Sequence, residues 1–301
     1  MGETGVINTT DVSLGIPVVV ASKSLEYLKA ATTMTRLVRR DYDDEVAVFG
    51  QTIQIDKFTG MTVKDKNGDY EIEKATGTKV DVKLDKHKYI GFLIEDVAKF
   101  MSKVDVQKAL MEEGIAKIGE QIDADLIEEM TDTFTGEVGV SGVDADAALL
   151  LSARTALNLA KAPLIDRYAV WSPKDEATLL SEEKFVNAAW VNGDGKSLIE
   201  AQIGRKYGID NFMNQQIETS GTSPISTKNL AFQRGATVLA TRPLGLPQGK
   251  SAPDSYYAEE DGVGLRVMVS YNHTKGGYMA TVDVLYGVKT VRPELGVIVL
   301  A

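Results

Sequence analysis

The segment VDVKLDKHKYIGFLIEDVAKFMSKVDVQKALMEEGIAKIGEQ, which starts at Val80, changes its hydrophobic period with no loop residues between the two patterns. In its first part Val80, Val82, Leu84, Ile90, Phe92 and Ile94 share one parity, with Lys86 and Lys88 interrupting the row. A period of two keeps such residues on one face of a strand. From Met111 the apolar steps become four, three, four, four and four, through Ile115, Ile118, Ile122, Leu126 and Met130. That is one stripe of an α-helix, the predicted core-facing side of a long helix. With Asp105 as its cap, a helix reaching Met130 is about 40 Å long at 1.5 Å per residue. Such a rod is longer than most helices of a compact domain.

The sequence upstream, EVAVFGQTIQIDKFTGMTVKDKNGDYEIEKATGTKVDVKL, predicts two ribbon strands around a tip formed by Lys64, Asp65, Lys66, Asn67, Gly68, Asp69 and Tyr70. Asn67-Gly68 is the strongest short hairpin signal, because both central residues of a type I′ turn need positive φ. In the incoming strand the apolar parity flips from Val46 and Val48 to Ile53 and Ile55, and Gly50 between them marks a predicted kink or bulge. A two-stranded ribbon alone is only marginally stable in water, so the pattern implies a neighbour that covers it. The same need holds for residues 1–23, read as an extended arm containing IPVVVA, and for the C-terminal part of the long helix.

Elsewhere, Ser24 to Arg40 reads as a short helix ending in RLVRR, a solvated basic helix end. After the long helix, Asp144 or Asp146 opens AALLLSARTALNLAKAP, stopped by Pro163. RYAVWSPKDEATLL gives a short buried strand, then Ser172 as N-cap, Pro173 at the first helical position and Asp175 as capping partner. Trp190 to Thr227 reads as loop-rich, and NLAFQRGATVLATRPL as a strand edge leading into a short helix. The end of the chain is a hairpin turned at Lys275 to Gly277 and a final short strand.

Composition narrows the chemistry. The 301 residues suggest roughly two domain-sized units. With 33 basic and 43 acidic side chains the formal charge is −10, which argues against a general affinity for nucleic acid phosphates. The absence of cysteine removes disulfides and thiolate metal sites. No basic n-region precedes the first apolar run and no run has the length of a membrane span, so a soluble, intracellularly made protein with no membrane partner is expected. Met1-Gly2 starts like a myristoylation signal, but Val6 stands where that motif wants Ser or Thr.

Catalytic and ligand motifs fail on inspection. NGDGKS lacks the first glycine of a phosphate loop, which would fall at Trp190. DKNGDYE lacks the glycine and bidentate acid of a calcium loop, whose places are taken by Tyr70 and Thr76. His87 reads as a strand-face residue, His273 as a turn neighbour, and Asp123 with Asp125 as solvated helix acids that point different ways. No nucleophile, base and orienter come together, so no catalytic, metal or cofactor residue is assigned.

The order of arm, glycine-kinked ribbon, VDVKLDKHKYIGFLIED, long helix with QIDADLIEEM, RYAVWSPKDEATLL, AQIGRKYGIDNF, LAFQRGATVLATRPL and DVLYGVKTVRPELGVIV resembles the major capsid protein of tailed bacteriophages. It is most similar to the podovirus-type coat family, with the Hong Kong ninety-seven fold. The resemblance runs from about Glu45 to the end, and AFQRGATVLATRPL and LYGVKTVRPEL are its most specific pieces. It implies an α+β chain with an N-terminal arm and short helix at 1–44, an E-loop ribbon at 45–94, a peripheral domain with the spine helix at 95–140, an axial domain at 141–262, and C-terminal strands at 263–301 returning to the peripheral domain. It further implies a non-enzymatic subunit that self-assembles into hexamers and pentamers of an icosahedral capsid around double-stranded DNA, assembled in the host cytoplasm and ending in the virion. Its expected partners are other copies of itself, a portal protein, packaged DNA held by non-specific contact, an optional decoration protein and a separate scaffolding protein. That last expectation comes from the arm-like sequence that begins within a few residues of Met1.

Two departures from the family stand out. The span from Leu164 to Val263 is too short to hold both an axial domain and the accessory insertion many such coats carry. No local motif transfers the crosslink of some relatives, for which Lys64, Lys66 and Asn67 qualify by position alone and read better as turn residues. The alternatives are an encapsulin-like compartment shell and, from another class, a carboxylate-dependent soluble hydrolase.

Overall fold

In the computed structural model the described residues are 6–7, 32–41, 52–59, 63, 65–66, 76–95, 106–182, 203–221, 224–247, 254–260 and 263–301. Gly50, Asp105, the tip residues Lys64, Asn67, Gly68, Asp69 and Tyr70, most of the arm and the side chain of Met111 lie outside them.

In chain order the elements are β1 (Val6–Ile7), α1 (Met34–Leu37), β2 (Thr52–Thr59), β3 (Thr76–Lys83), β4 (Lys86–Glu95) and the long helix α2 (Val106–Thr133). There follow β5 (Gly136–Gly139), α3 (Ala147–Leu159), β6 (Arg167–Trp171), α4 (Pro173–Ser181), β7 (Gly204–Lys206), β8 (Ile209–Met213) and β9 (Thr219–Ser220). The chain closes with β10 (Ser226–Gln233), β11 (Thr237–Thr241), β12 (Asp254–Glu260), β13 (Val263–Asn272), β14 (Gly277–Thr290), a 3-10 turn (Pro293–Leu295) and β15 (Gly296–Leu300).

These strands form three sheets in an α+β fold. A six-stranded sheet runs β1-β4-β14-β13-β12, with β11 also on β14; a seven-stranded sheet runs β5-β15-β10-β6-β8-β7, with β9 on β10; and β2-β3 stand as a pair. The register of that pair, from Thr52↔Lys83 to Thr59↔Thr76, is the one a two-residue turn at Asn67-Gly68 demands. At 28 residues, α2 spans about 42 Å at 1.5 Å per residue. It lies against β4 and β14 of one sheet and β10 of the other. Its stripe of Ile115, Ile118, Ile122, Leu126 and Met130 is buried in one core with Leu150 and Leu157 of α3 and Leu230 and Phe232 of β10. Phe232 is wedged between the rings of Phe134 and Tyr168, whose centroids stand 6.3 and 6.1 Å away.

The caps form as their chemistry requires. Of the two candidates for α3, Asp146 is the cap, accepting from the Leu149 amide at 2.7 Å. Ser172 accepts from the Asp175 amide at 3.2 Å, with Pro173 in the first turn. Helix α3 ends before Pro163, at a left-handed Lys161 with φ of 56°.

Several expectations are corrected. The apolar row from Val80 to Ile94 is divided at Leu84-Asp85: β3 stays in the ribbon, but β4 pairs with β14 over ten residues and turns Ile90 and Phe92 toward the main core. NLAFQRGATVLATRPL holds no helix; it is β10, a tight turn and β11, because Thr237 to Thr241 are all buried and pair with β14. The stretch read as loop-rich contains β7, β8 and β9. Of the helix expected over Ser24 to Arg40, the described part has only the four residues of α1. It stops because Val38 is extended and Arg39 bridges Val238 of β11. The boundary drawn at 262 does not separate the sheets, since β11 and β12 join β13 and β14 in one of them while β15 crosses to the other.

Candidate functional site

Among the described residues the ribbon is anchored at its base. Ile53, Val82 and Leu84 form a small buried cluster with Ala240 of β11 and Leu285 of β14, separate from the main core. Close approach is allowed by Gly287, where a Cβ would collide with the Lys83 carbonyl oxygen. Lys57 adds an ion pair to Glu294 at 2.7 Å. Burial alone would raise the Glu294 carboxyl, but Lys57 and neighbouring donors outweigh it and hold it below the usual range. Farther out, Gln54, Asp56, Thr78 and Lys79 are exposed, and Val63 near the tip is fully so. Asp65 and Lys66 are also exposed.

The face of the six-stranded sheet that bears His87 and Tyr89 carries a cross-strand row. Tyr89 of β4 pairs with Asp283 of β14, Asp283 with Arg266 of β13, and Arg266 with Tyr257 of β12. The middle of the row is a fork of two Arg266–Asp283 hydrogen bonds, with His87 Nε2 3.1 Å from the same carboxylate. The ends are tyrosines left 69% and 56% exposed. A row with a fixed charge pair at its centre and rigid aromatic edges presents contact area at low entropic cost.

The helix acids read as solvated are in fact buried: Asp123 is 2% exposed and Asp125 5%. Elements pack on more than one face of α2 in its second half, so the spacing of the main stripe did not reveal them. Asp123 accepts from the Thr33 amide and hydroxyl, the Met34 amide and the Asn214 side chain, tying the segment around α1 and the loop after β8 to the helix. Burial pushes its carboxyl above the usual range, against the pull of these hydrogen bonds. Asp125 accepts from the Tyr286 hydroxyl at 2.6 Å and lies 3.0 Å from Lys86 Nζ. Burial alone would raise it too, but Tyr286, Lys86 and Gln121 outweigh that cost and hold it low. One turn on, Glu129 accepts from Lys289 and from the Thr290 amide. The helix is thus bolted to β4, β14, α1 and the seven-stranded sheet through buried acceptors.

His273 lies in the β13–β14 turn, as its neighbours Thr274 to Gly276 do. Among the described residues no group of three His, Asp or Glu side chains is placed to hold a metal ion, and no helix is long and apolar enough to cross a membrane.

Neither a family model nor a curated protein sequence matches the chain. Solved structures do. The chain is similar to a structure from Mycobacterium phage Che8, at TM-score 0.70 and 20% identity over 89% of this chain and 90% of that one. It is similar to the capsid of cyanophage P-SCSP1u, at TM-score 0.62 and 15% identity over 89% and 87%. It is also similar to a virus-like particle from Pyrococcus furiosus, at TM-score 0.55 and 13% identity over 94% and 98%. Likeness over nearly the full length of each chain identifies the architecture: this is the Hong Kong ninety-seven fold of tailed-phage capsid proteins.

Proposed function

We propose that the chain is a major capsid protein that self-assembles into hexamers and pentamers of an icosahedral shell enclosing double-stranded DNA. The observation that carries this reading is the end-to-end match to phage capsid architecture. It is supported by a ribbon whose described outer residues, among them Asp56, Val63, Asp65, Lys66, Thr78 and Lys79, are exposed. In this reading the ribbon at Lys64 to Tyr70 lies across an adjacent copy, and Gly50 re-aims it. The chain works mechanically rather than catalytically, as a virion component assembled in the host cytoplasm. Its partners are other copies, a portal protein, a separate scaffolding protein and packaged DNA, with a decoration protein as an optional addition. The expected scaffold is held weakly and largely by charge, so that it leaves before the genome enters.

Electron microscopy and sedimentation of the purified chain at low and high salt provide the test. Capsomers, shells or open curved sheets are expected, with mixed products when no scaffold is supplied. A discrete monomer under every condition would overturn the reading. Because the same fold builds a virus-like particle in Pyrococcus furiosus, the nucleic acid content of particles made in infected cells completes the test. Full-length DNA inside is the expected result, and a protein cargo in its place would contradict it.

A further inference from the structure

Three arginines from distant parts of the chain converge on one turn. The turn between β10 and β11 is pinned by the Gly235 amide donating to Gln233 Oε1 at 2.7 Å and the Arg234 amide donating to the Asp166 carbonyl at 3.0 Å. Arg39 is brought there because its amide donates to the Thr237 carbonyl and its own carbonyl accepts from Leu239. Arg292 is brought there because its amide donates to the Ala236 carbonyl at 3.0 Å. Together with Asp41, Asp166 and Leu295 they line an open depression of about 390 Å³.

The charges in this depression are only partly matched. Asp41 holds Arg39 at 2.6 Å, and the Arg234 side chain donates to the Val38 carbonyl. Among the described residues neither Arg234 nor Arg292 forms an ion pair; Glu294, next to Arg292 in the chain, is bonded to Lys57. Among the described lining residues three guanidiniums stand against two carboxylates, and Glu294, which Arg292 helps to hold in its charged form, is turned to Lys57. Guanidinium forks arriving from separate segments of the chain suit a tetrahedral oxyanion, which offers more acceptor oxygens than a planar carboxylate can turn toward three donors.

We propose that this depression is an anion site that takes a phosphate group, with Arg292 and Arg234 as the donors and Arg39 fixed by Asp41 as the third wall. Phosphate reaches it either as the free ion or as a phosphodiester of nucleic acid. The site is independent of whether the chain builds a shell.

The test is calorimetric titration of the full-length protein at low ionic strength with inorganic phosphate and, separately, with a short DNA duplex. Saturable phosphate binding is expected, weakened about tenfold by R292Q, since a hydrogen bond to a charged group is lost. R292Q is the primary variant because, among the described residues, the Arg292 side chain makes no hydrogen bond. R292K, which keeps the charge and loses the fork, is expected to fall between the two, and R205Q on β7 to bind as the wild type does. Duplex binding that R292Q weakens and phosphate displaces identifies nucleic acid as the source; phosphate binding without duplex binding identifies the free ion. Absent phosphate binding, or binding that R205Q weakens as much as R292Q, overturns the proposal. Loss of self-association in R292Q with no phosphate binding in the wild type also overturns it, and assigns the site to a carboxylate of another copy.

Discussion

The ribbon and the seven-stranded sheet are both antiparallel at heart, yet they spend their side chains differently. In the sheet, β10 buries Thr227, Asn229, Leu230, Ala231 and Phe232 between two neighbours. Among the described residues of the ribbon, those buried against the body are Ile53 and Val82, with Leu84 just beyond β3. A strand pair with so little cover cannot contribute much to the stability of its own subunit. In the proposed reading the difference separates what folds the chain from what it would extend toward other copies.

The largest expected effect tests the sheet. Phe232→Ala should cost about 3–5 kcal/mol, the range for emptying a fully buried aromatic site, and a thermal melt of the unassembled subunit measures it. A loss under 1 kcal/mol would mean that the sheet is not the stabilising region. Leu84→Ala probes the ribbon's foot and should cost about 2 kcal/mol, at the low end for a buried leucine because the cluster is small. Its signature should be regional: hydrogen exchange quickens in β2 and β3 while β10 keeps its protection.

A smaller effect comes from acid. The folded Asp125 carboxyl is held low, so its contribution is present above the unfolded value of about 4 and is lost as pH falls through the folded one. Glu294, the ribbon-base acid, has the same sign. Asp123, two residues from Asp125, has the opposite sign, because its raised folded value means that protonation favours the folded state as pH falls. Asp125→Asn should therefore flatten the acid side of a stability profile relative to the wild type, measured by melts across pH. An unchanged slope would show that Tyr286 and Lys86 do not favour the charged form. The smallest expected effect on the subunit is Val63→Asp near the tip, within about 0.5 kcal/mol, as for an exposed site with no partner.

Legibility followed the reach of each interaction. The β2–β3 pair could be read because alternation is a local signal, and the helix because one stripe repeats at its period from Ile115 to Met130. Strand β11 could not, since Thr237 to Thr241 are buried on both faces and show no alternation to set against a helical reading. The anchoring acids were hidden for another reason: Thr33 and Asn214, which bond Asp123, and Tyr286, which bonds Asp125, lie 90, 91 and 161 residues away along the chain. The arginine depression and Gly287 are equally long-range. No spacing rule contains such pairings: Asp123 meets the segment around α1 and the loop after β8, and Asp125 meets β4 and β14.

The central claim is that the ribbon works between subunits. Replacing Lys64 to Tyr70 with a two-residue turn, then comparing melting and sedimentation with the wild type under assembly conditions, tests it most directly. The account predicts an unchanged subunit melt and the loss of stable shells, because the contacts removed belong to a neighbour. Closed particles of normal size and yield from the shortened chain would contradict it.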